Sequence, residues 1–153
     1  MATQRITRTS VLFICSHNSA RSQMAEAFAQ RLAGSDVEVV SAGLDPRPIH
    51  LLTRTVMQEA GYTLEGHTSK SLKLFLGKQA FTYVIMVCPT GEAQCPKFFP
   101  GTTKLLYWPF DDPAGAVGDE VHRLAVFTRV RDEIAARVTS WLASLSAPDS
   151  IRD

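Results

Sequence analysis

The amino-acid sequence predicts an α/β fold: a single-domain, three-layer sandwich in which a four-stranded parallel sheet has helices on both faces. Short apolar runs, typical of buried strands, alternate with segments whose apolar residues recur every three or four positions. The chain has 153 residues, about the size of one domain, and 45% of them are hydrophobic. We therefore expect one domain over residues 1–145, followed by a flexible C-terminal tail over residues 146–153.

Four short segments predict the strands, and they are residues 11–15, 37–41, 83–87 and 104–108. The first is continuously apolar, which is typical of a parallel strand buried on both faces. Gly43 follows the second segment and Pro109 stops the fourth. Because helical segments separate the strands, we expect parallel pairing through right-handed crossovers, with the carboxyl ends of the strands at one edge of the sheet.

Three segments have the periodicity of amphipathic helices. Their apolar residues are Met24, Phe28 and Leu32 in the first, Leu52, Val56 and Ala60 in the second, and Leu124, Phe127, Ile134, Val138, Trp141 and Leu145 in the third. Gly34 and Gly61 follow the first two segments as helix stop signals. Asp119 or Gly118 is the predicted cap of the third helix.

Charge and composition exclude several classes of protein. Sixteen Lys and Arg against 15 Asp and Glu give a net charge of +1, so no broad positive field is available for nucleic acid or an anionic membrane. No apolar run approaches the ~20 residues that span a bilayer, and the polar start of the chain lacks a signal-peptide core. We expect a soluble, cytoplasmic monomer with no nucleic-acid or membrane partner.

The loop after the first predicted strand is the strongest candidate site. It leads directly into the first predicted helix and consists of Cys15, Ser16, His17, Asn18, Ser19, Ala20, Arg21 and Ser22. Backbone N–H groups of such a loop form a nest for an anion, and the following helix adds its positive end. Arg21 supplies a planar fork that suits a tetrahedral oxyanion. The same field favours the thiolate of Cys15, so the loop can bind an oxyanion and ionise a nucleophile.

Three neighbours in this loop have separate expectations. Ser22 is positioned to donate its hydroxyl to the thiolate, and Asn18, which tolerates a left-handed backbone, should hold the loop in shape. For His17 two possibilities stay open, because the ring can tune the thiolate or point to solvent. The alternative interpretation of the whole segment is an ordinary strand-to-helix turn with a buried cysteine.

The other two cysteines, Cys88 and Cys95, suggest redox chemistry. Cys88 ends the third predicted strand and so should emerge at the same edge as Cys15, and Cys95 follows after a polar segment. An odd, sparse count does not indicate a disulfide framework, and the simplest alternative is three small buried hydrophobic residues. The spacings of cysteine and histidine do not match a zinc site, and we predict no bound metal.

Asp111 and Asp112 follow the fourth predicted strand and precede Pro113. A nucleophile that attacks an oxyanion centre expels an oxygen, and a carboxyl group held over the pocket can supply the proton that this oxygen needs. Pro113 would stiffen the loop that carries it. The alternative is that both aspartates only make turn contacts.

Residues 11–29, with the pattern Cys-x5-Arg-Ser, resemble the phosphate loop of the low-molecular-weight protein tyrosine phosphatase fold. The triplets Ser-Ala-Gly at 41–43 and Asp-Asp-Pro at 111–113 resemble further marks of that family. The likeness covers residues 11–145 and implies a four-stranded parallel sheet flanked by helices. It also implies that Asp112 is the general acid, with Asp111 as the neighbouring possibility.

Within that fold, residues 88–95 are similar to the thioredoxin-coupled arsenate reductases. The resemblance implies that Cys15 attacks arsenate, Cys88 then attacks Cys15, and Cys95 takes over the disulfide, which thioredoxin reduces without a tightly bound cofactor. We also expect a mobile loop at 88–97. Ala114 and Gly115 stand where tyrosine phosphatases of this fold carry an aromatic pair, which favours a small inorganic oxyanion.

Several alternatives remain beside the reductase. One is a tyrosine or small-molecule phosphatase with a cysteinyl-phosphate intermediate, and another is a non-catalytic thiol redox sensor. Some relatives use a small-thiol and glutaredoxin-type reductant instead of thioredoxin. Some bind potassium near the loop, and Glu26, Asn18, Ser41 and Thr68 match that site. Lys70 stands where those relatives carry Asp, and because an ammonium beside a fixed cation is unfavourable, we predict no potassium.

Overall fold

A computed structural model describes residues 9–89 and 101–146 of the chain. Its strands are β1 (Thr9–Cys15), β2 (Val37–Gly43), β3 (Phe81–Met86) and β4 (Thr102–Tyr107). All adjacent pairs are parallel and the order is β2-β1-β3-β4, which confirms the predicted four-stranded parallel sheet. β3 and β4 each begin two residues earlier and end one residue earlier than their apolar runs.

The α-helices are α1 (Arg21–Ala33), α2 (Leu51–Glu59) and α3 (Glu120–Ser146), with 3-10 turns at Gly34–Asp36, Leu72–Leu74 and Pro113–Gly115. The α3 cap is Asp119 rather than Gly118, because its Oδ1 accepts from the His122 N–H at 2.8 Å. Gly34 ends α1 with a φ of +71°, a left-handed value that glycine adopts easily. Residues 147–153 of the predicted tail lie outside the described residues.

The two faces of the sheet carry separate apolar cores. On one face, Val11, Phe13 and Ile85 contact side chains from all three α-helices, including Phe28 and Phe127. Each fully buried aromatic or branched side chain there contributes about 1.5–3 kcal/mol. The other face, formed by alternate strand residues, is covered in the described part of the chain by the turn Leu72–Leu74 and by residue 75. On that face the described segments, 9–89 and 101–146, contribute the short 3-10 helix Leu72–Leu74.

The strand order places a binding site at the end of β1. β1 pairs with β2 on one side and β3 on the other, so the chain reverses direction across the sheet there. In open α/β sheets, ligands bind beyond the carboxyl ends of the strands at such a point. Cys15 is the last residue of β1, and Cys88 follows β3 by two residues. Among the described helices, none has the length and apolar character to cross a membrane.

Candidate active site

The loop between β1 and α1 turns its carbonyl groups away from the site. These carbonyls accept hydrogen bonds of 2.9–3.0 Å from backbone N–H groups of the segment after β2. The N–H of Asp45 donates to Ser16, that of Arg47 to His17 and that of His50 to Ser19. Because the C=O and N–H of one trans peptide unit point in opposite directions, the next N–H groups turn the other way. That of Asn18 donates to the Cys15 sulfur at 3.3 Å. The loop therefore has the form of an anion nest built around the sulfur.

Cys15 is a free thiol, 2% exposed, at the centre of this arrangement. Its Sγ lies 2.8 Å from the hydroxyl oxygen of Ser22, as the sequence predicts for that residue. α1 has no side-chain cap at Ala20 and no acidic residue in its first turn. The positive end of the helix dipole therefore faces the loop with no acidic side chain from the first turn of α1 against it, which suits an anionic sulfur or a bound oxyanion.

Arg21 and Asp112 lie together over the loop. The Arg21 side chain is 2% exposed, and its Nη1 donates to the Phe110 carbonyl at 3.0 Å. Its Nη2 lies 3.7 Å from Asp112 Oδ2, and the Asp112 side chain is 32% exposed. Asp112 Oδ1 accepts from the Ala114 N–H at 3.0 Å and so caps the turn Pro113–Gly115. The carboxyl group thus reaches both the arginine and solvent, from which it can be reprotonated.

Asp111 points elsewhere. Its Oδ2 lies 3.3 Å from Arg129 Nη2, and its side chain is 73% exposed. Arg129 belongs to α3 and also pairs with Glu133 at 2.9 Å. The structure therefore separates two adjacent aspartates that the sequence alone leaves as alternatives, and only Asp112 contacts Arg21.

Asn18 is fully buried and has a φ of +52°, the only positive φ among the non-glycine residues that the structure describes. Its Nδ2 donates to the hydroxyl oxygens of Ser22 at 2.7 Å and Ser41 at 2.9 Å. Its Oδ1 accepts from the backbone N–H of Lys70 at 2.8 Å. One side chain thus joins β2, α1 and the backbone of Lys70 to the loop, which is the arrangement expected of a residue that holds the loop in shape.

His17 is tied to the loop that follows β2. Its Nδ1 lies 3.0 Å from the Asp45 carbonyl oxygen and 3.6 Å from the Asp45 carboxylate, and the ring is 23% exposed. The sequence leaves two possibilities open for His17, a ring that tunes the thiolate or one that points to solvent. In the structure the ring is not free in solvent, because it contacts Asp45.

Cys88 is 1% exposed and disulfide-bonded. The preceding Val87 N–H donates to the Ile14 carbonyl at 2.9 Å, so the chain still runs beside β1 where Cys15 ends that strand. Strand β3 itself ends at Met86, and Cys88 follows it rather than ending it. Cys95 and most of the predicted mobile loop at 88–97 lie outside the described residues.

The oxygens that match a potassium site in some relatives surround Lys70 instead. Its Nζ donates to the Thr68 carbonyl at 2.9 Å and lies 3.8 Å from Glu26 Oε1. Ser41 donates a short hydrogen bond to the same carboxylate oxygen. An ammonium group already lies among these oxygens, so the residues present do not fit a potassium ion.

Sequence reasoning missed two polar residues of the loop's support. Gln23, fully buried, donates from Nε2 to Asn18 Oδ1 at 3.0 Å and to the Thr68 carbonyl at 3.0 Å. Ser69 donates to the His17 carbonyl at 3.1 Å. The available signal was the spacing of polar residues on α1, where Gln23, Glu26 and Gln30 recur at intervals of three and four positions.

The chain is similar to known proteins over most of its length. Residues 10–150 match the family model described as low molecular weight phosphotyrosine protein phosphatase. An arsenate reductase of Shouchella clausii is 37% identical over 131 residues, which cover 86% of this chain and 93% of that protein. The structure of an arsenate reductase in the phosphate binding state is 31% identical, with a TM-score of 0.75 over 90% of this chain and 99% of that one.

A thioredoxin-dependent arsenate reductase from Corynebacterium glutamicum is 32% identical, with a TM-score of 0.67. The similarity covers 90% of this chain and 61% of that one. The family model spans the sheet, the Cys-x5-Arg loop and the aspartate turn alike. The chain therefore belongs to the low-molecular-weight phosphotyrosine protein phosphatase family.

Proposed function

We propose that the protein is an arsenate reductase that uses Cys15 as nucleophile, Cys88 and Cys95 as a disulfide relay, and thioredoxin as the external reductant. The observation that carries this proposal is the free, buried Cys15 inside an anion nest, with Arg21 and Asp112 beside it. The similarity to arsenate reductases over most of the chain supports the choice of substrate.

The first step joins arsenic to sulfur. Arsenate binds to the N–H groups of the loop and to the fork of Arg21, which suits a tetrahedral oxyanion. The Cys15 thiolate attacks arsenic, an S–As bond forms and one As–O bond breaks. Asp112 donates the proton with which that oxygen leaves as water. Arsenic is still As(V) after this step.

The second step moves the electrons. The Cys88 thiolate attacks the Cys15 sulfur, so an S–S bond forms while the S–As bond breaks. The electron pair of the broken bond stays on arsenic, which leaves as arsenite, As(III). Two cysteine sulfurs together lose two electrons, which balances the reduction. The position of Cys88 beside the end of β1 supports this order.

In the third step Cys95 attacks Cys88, which releases Cys15 as a thiolate and leaves a Cys88–Cys95 disulfide. A dithiol such as thioredoxin reduces that disulfide by exchange. Cys15 is free in the structure, as this late state requires. The protein would work in the cytoplasm, since thiols persist in a reducing compartment. It would act as a monomer and without a tightly bound cofactor.

A phosphatase would use the same loop, with Cys15 attacking phosphorus and no role for Cys88. The residues after Asp112 distinguish the two activities by shape. Pro113, Ala114 and Gly115 form a 3-10 turn, and a Cβ added at Gly115 would meet no atom within 4 Å. Residues 113–115 therefore offer no aromatic wall for a phosphotyrosine ring, whereas arsenate needs none.

The test is oxidation of NADPH by the reduced protein with thioredoxin, thioredoxin reductase and arsenate. We expect sustained oxidation that depends on arsenate, yields arsenite and stops in Cys88→Ser. Para-nitrophenyl phosphate is assayed in parallel with both proteins. Release of nitrophenol that is indifferent to Cys88→Ser, without arsenate-dependent oxidation, would make the protein a phosphatase and refute the relay.

A non-catalytic redox sensor is separated by a second variant. A sensor needs the cysteine pair but has no use for Asp112 as an acid. We expect Asp112→Ala to lose arsenate reduction while its Cys88–Cys95 pair still exchanges with thioredoxin. Arsenate reduction that is unaffected in Asp112→Ala would remove the aspartate from the mechanism.

A further inference from the structure

A buried carboxylate that the mechanism does not use lies beside the oxyanion loop. The Glu26 side chain is only 9% exposed, because the residue lies on the buried part of α1. Four groups surround its two oxygens: the Ser41 hydroxyl, which donates to Oε1, Gln30 Nε2 at 2.8 Å, Lys70 Nζ at 3.8 Å and His67 Nδ1 at 4.0 Å. Such a group is costly to bury as an anion unless opposite charge and hydrogen bonds compensate it.

A directed chain of hydrogen bonds joins this carboxylate to the sulfur. Ser41, the donor to Glu26, accepts from Asn18 Nδ2 at 2.9 Å. The same Nδ2 donates to the Ser22 hydroxyl oxygen at 2.7 Å. Because Ser22 accepts there, its own hydrogen is available for Cys15 Sγ at 2.8 Å. The chain therefore ends in a hydroxyl that donates to the sulfur, which favours the thiolate over the thiol.

Lys70 fixes the direction of this chain. Its backbone N–H, which can only donate, bonds Asn18 Oδ1 at 2.8 Å, so the amide group of Asn18 cannot be reversed. Its carbonyl accepts from the Gly43 N–H at 2.9 Å. Its ammonium group lies 3.8 Å from Glu26 Oε1. Lys70 thus holds the loop through its backbone and α1 through its side chain.

The ion pair is partly shielded from solvent. The Lys70 side chain is 21% exposed and the Glu26 side chain 9% exposed. The third titratable group of this cluster is His67, 15% exposed, whose Nδ1 has no hydrogen-bond partner among the described residues. Loss of the Lys70 charge would leave Glu26 with polar neutral partners and His67, and a buried charge that loses its partner is destabilising.

We propose that Lys70 and Glu26 are positioning residues of the active site: their ion pair keeps Asn18 in its left-handed conformation and so aims the Ser22 hydroxyl at Cys15. The inference rests on the proposed role of Cys15 as nucleophile. The effect of the ion pair reaches the sulfur through Ser41, Asn18 and Ser22.

The test measures Cys15 directly, in a Cys88→Ser/Cys95→Ser background where it is the only thiol. The rate of alkylation by iodoacetamide is followed against pH, and protection by inorganic phosphate measures anion binding. We expect Lys70→Met to move the rate–pH profile to higher pH, to slow alkylation near neutral pH about fivefold and to weaken protection by phosphate. Lys70→Arg, which keeps the charge, should stay close to the parent.

Lys73→Met is the matched control, because Lys73 is exposed on the neighbouring 3-10 turn. A Lys70→Met profile that superposes on that of Lys73→Met would overturn the proposal. The double variant Glu26→Gln/Lys70→Met leaves no unpaired buried charge, so it should fold, but it lacks the ion pair, so we expect its profile to remain displaced to higher pH. If Lys70→Met does not fold, this double variant still tests the idea, and a profile that superposes on that of Lys73→Met would contradict it.

These readouts are independent of arsenate turnover. Failure to reduce arsenate with a normal response of alkylation to Lys70→Met would refute the proposed function and leave the positioning role intact. Normal arsenate reduction, together with an alkylation rate that does not respond to Lys70→Met, would refute the positioning role and leave the proposed function intact.

Discussion

At Gly43 the end of β2 comes so close to the oxyanion loop that a side chain has no room. A Cβ there would lie 2.8 Å from the Asn18 nitrogen and 2.9 Å from backbone atoms of Ser16 and His17. These neighbours are backbone atoms, which cannot move away as the end of a flexible side chain can. We expect Gly43→Ala to lower the free energy of unfolding by about 1–3 kcal/mol and to weaken phosphate binding.

Urea unfolding and phosphate protection of Cys15 check this prediction. Gly115→Ala is the control for stability, because a Cβ at Gly115 would meet no atom within 4 Å. Equal stability and equal phosphate protection of the Gly43 and Gly115 variants would show that the loop can give way.

The two adjacent aspartates allow a matched pair of substitutions. Asp112 lies 3.7 Å from Arg21, whereas Asp111 lies 3.3 Å from Arg129 on the surface. We expect Asp112→Asn to slow formation of the arsenic–sulfur bond by roughly 10²–10⁴-fold, the usual contribution of a general acid, and Asp111→Asn to change it little. Single-turnover arsenite release measures both, and similar losses in the two variants would contradict the assignment of the acid.

Sequence proximity decides which site residues could be predicted. Cys15, Arg21 and Ser22 lie within one strand-to-helix loop, so their spacing alone indicates an anion site. The contact of Lys70 with Asn18 joins residues 52 positions apart, and nothing local in the sequence encodes it. The hydrogen bond from Arg21 to the Phe110 carbonyl likewise involves the backbone, so no pattern of side chains predicts it.

Among the elements, α2 depends on a titratable cap. His50 Nδ1 accepts from the Leu52 N–H at 3.0 Å, and the ring lies 4.8 Å from that of Phe127. Burial lowers the pKa of His50 below the ordinary value of 6.5, Arg123 lowers it further, and Asp112 opposes them. The cap requires an unprotonated Nδ1, because a protonated ring nitrogen cannot accept a hydrogen bond.

The sign of the pH effect follows from this lowered pKa. Between the folded pKa and 6.5 the unfolded chain binds more protons than the folded one, so this part of the stability is complete above 6.5 and is lost as pH falls. We expect His50→Asn, which keeps a capping oxygen, to lose less free energy of unfolding than the parent between about pH 7.5 and about pH 5.5.

Chemical unfolding at several pH values measures the two slopes. His122→Asn is the control, because His122 is an exposed histidine in the first turn of α3. A slope for His50→Asn equal to that of the parent would remove His50 from the pH dependence.

Element ends followed local signals only in part. The caps at Asp119 and Gly34 were predictable because a cap acts on its own helix. The apolar runs extend one residue beyond β3 and β4, where Val87 and Trp108 each still donate a backbone hydrogen bond to the neighbouring strand, at 2.9 and 2.8 Å. Apolar character therefore locates these strand ends only to within a residue.

In the whole molecule, the alternation of strands and helices was enough to predict a parallel sheet with its site at the carboxyl ends. The alternation does not say which covering segment lies on which face. All three α-helices contribute to one core, while Leu72 of a short 3-10 turn and Phe75 directly after it cover the other in the described part of the chain. Apolar residues in a 3-10 turn have no long periodicity from which a helix or its face can be inferred.

The central claim is that one arsenate takes two electrons from Cys15 and Cys88. Cys95→Ser should stall the relay after that step. The most direct measurement is mass spectrometry of reduced Cys95→Ser after anaerobic reaction with arsenate and no reductant. We predict a Cys15–Cys88 disulfide and one arsenite for each chain, and no disulfide when phosphate replaces arsenate. Arsenite release with both thiols still free, or no reaction with arsenate at all, would contradict the account.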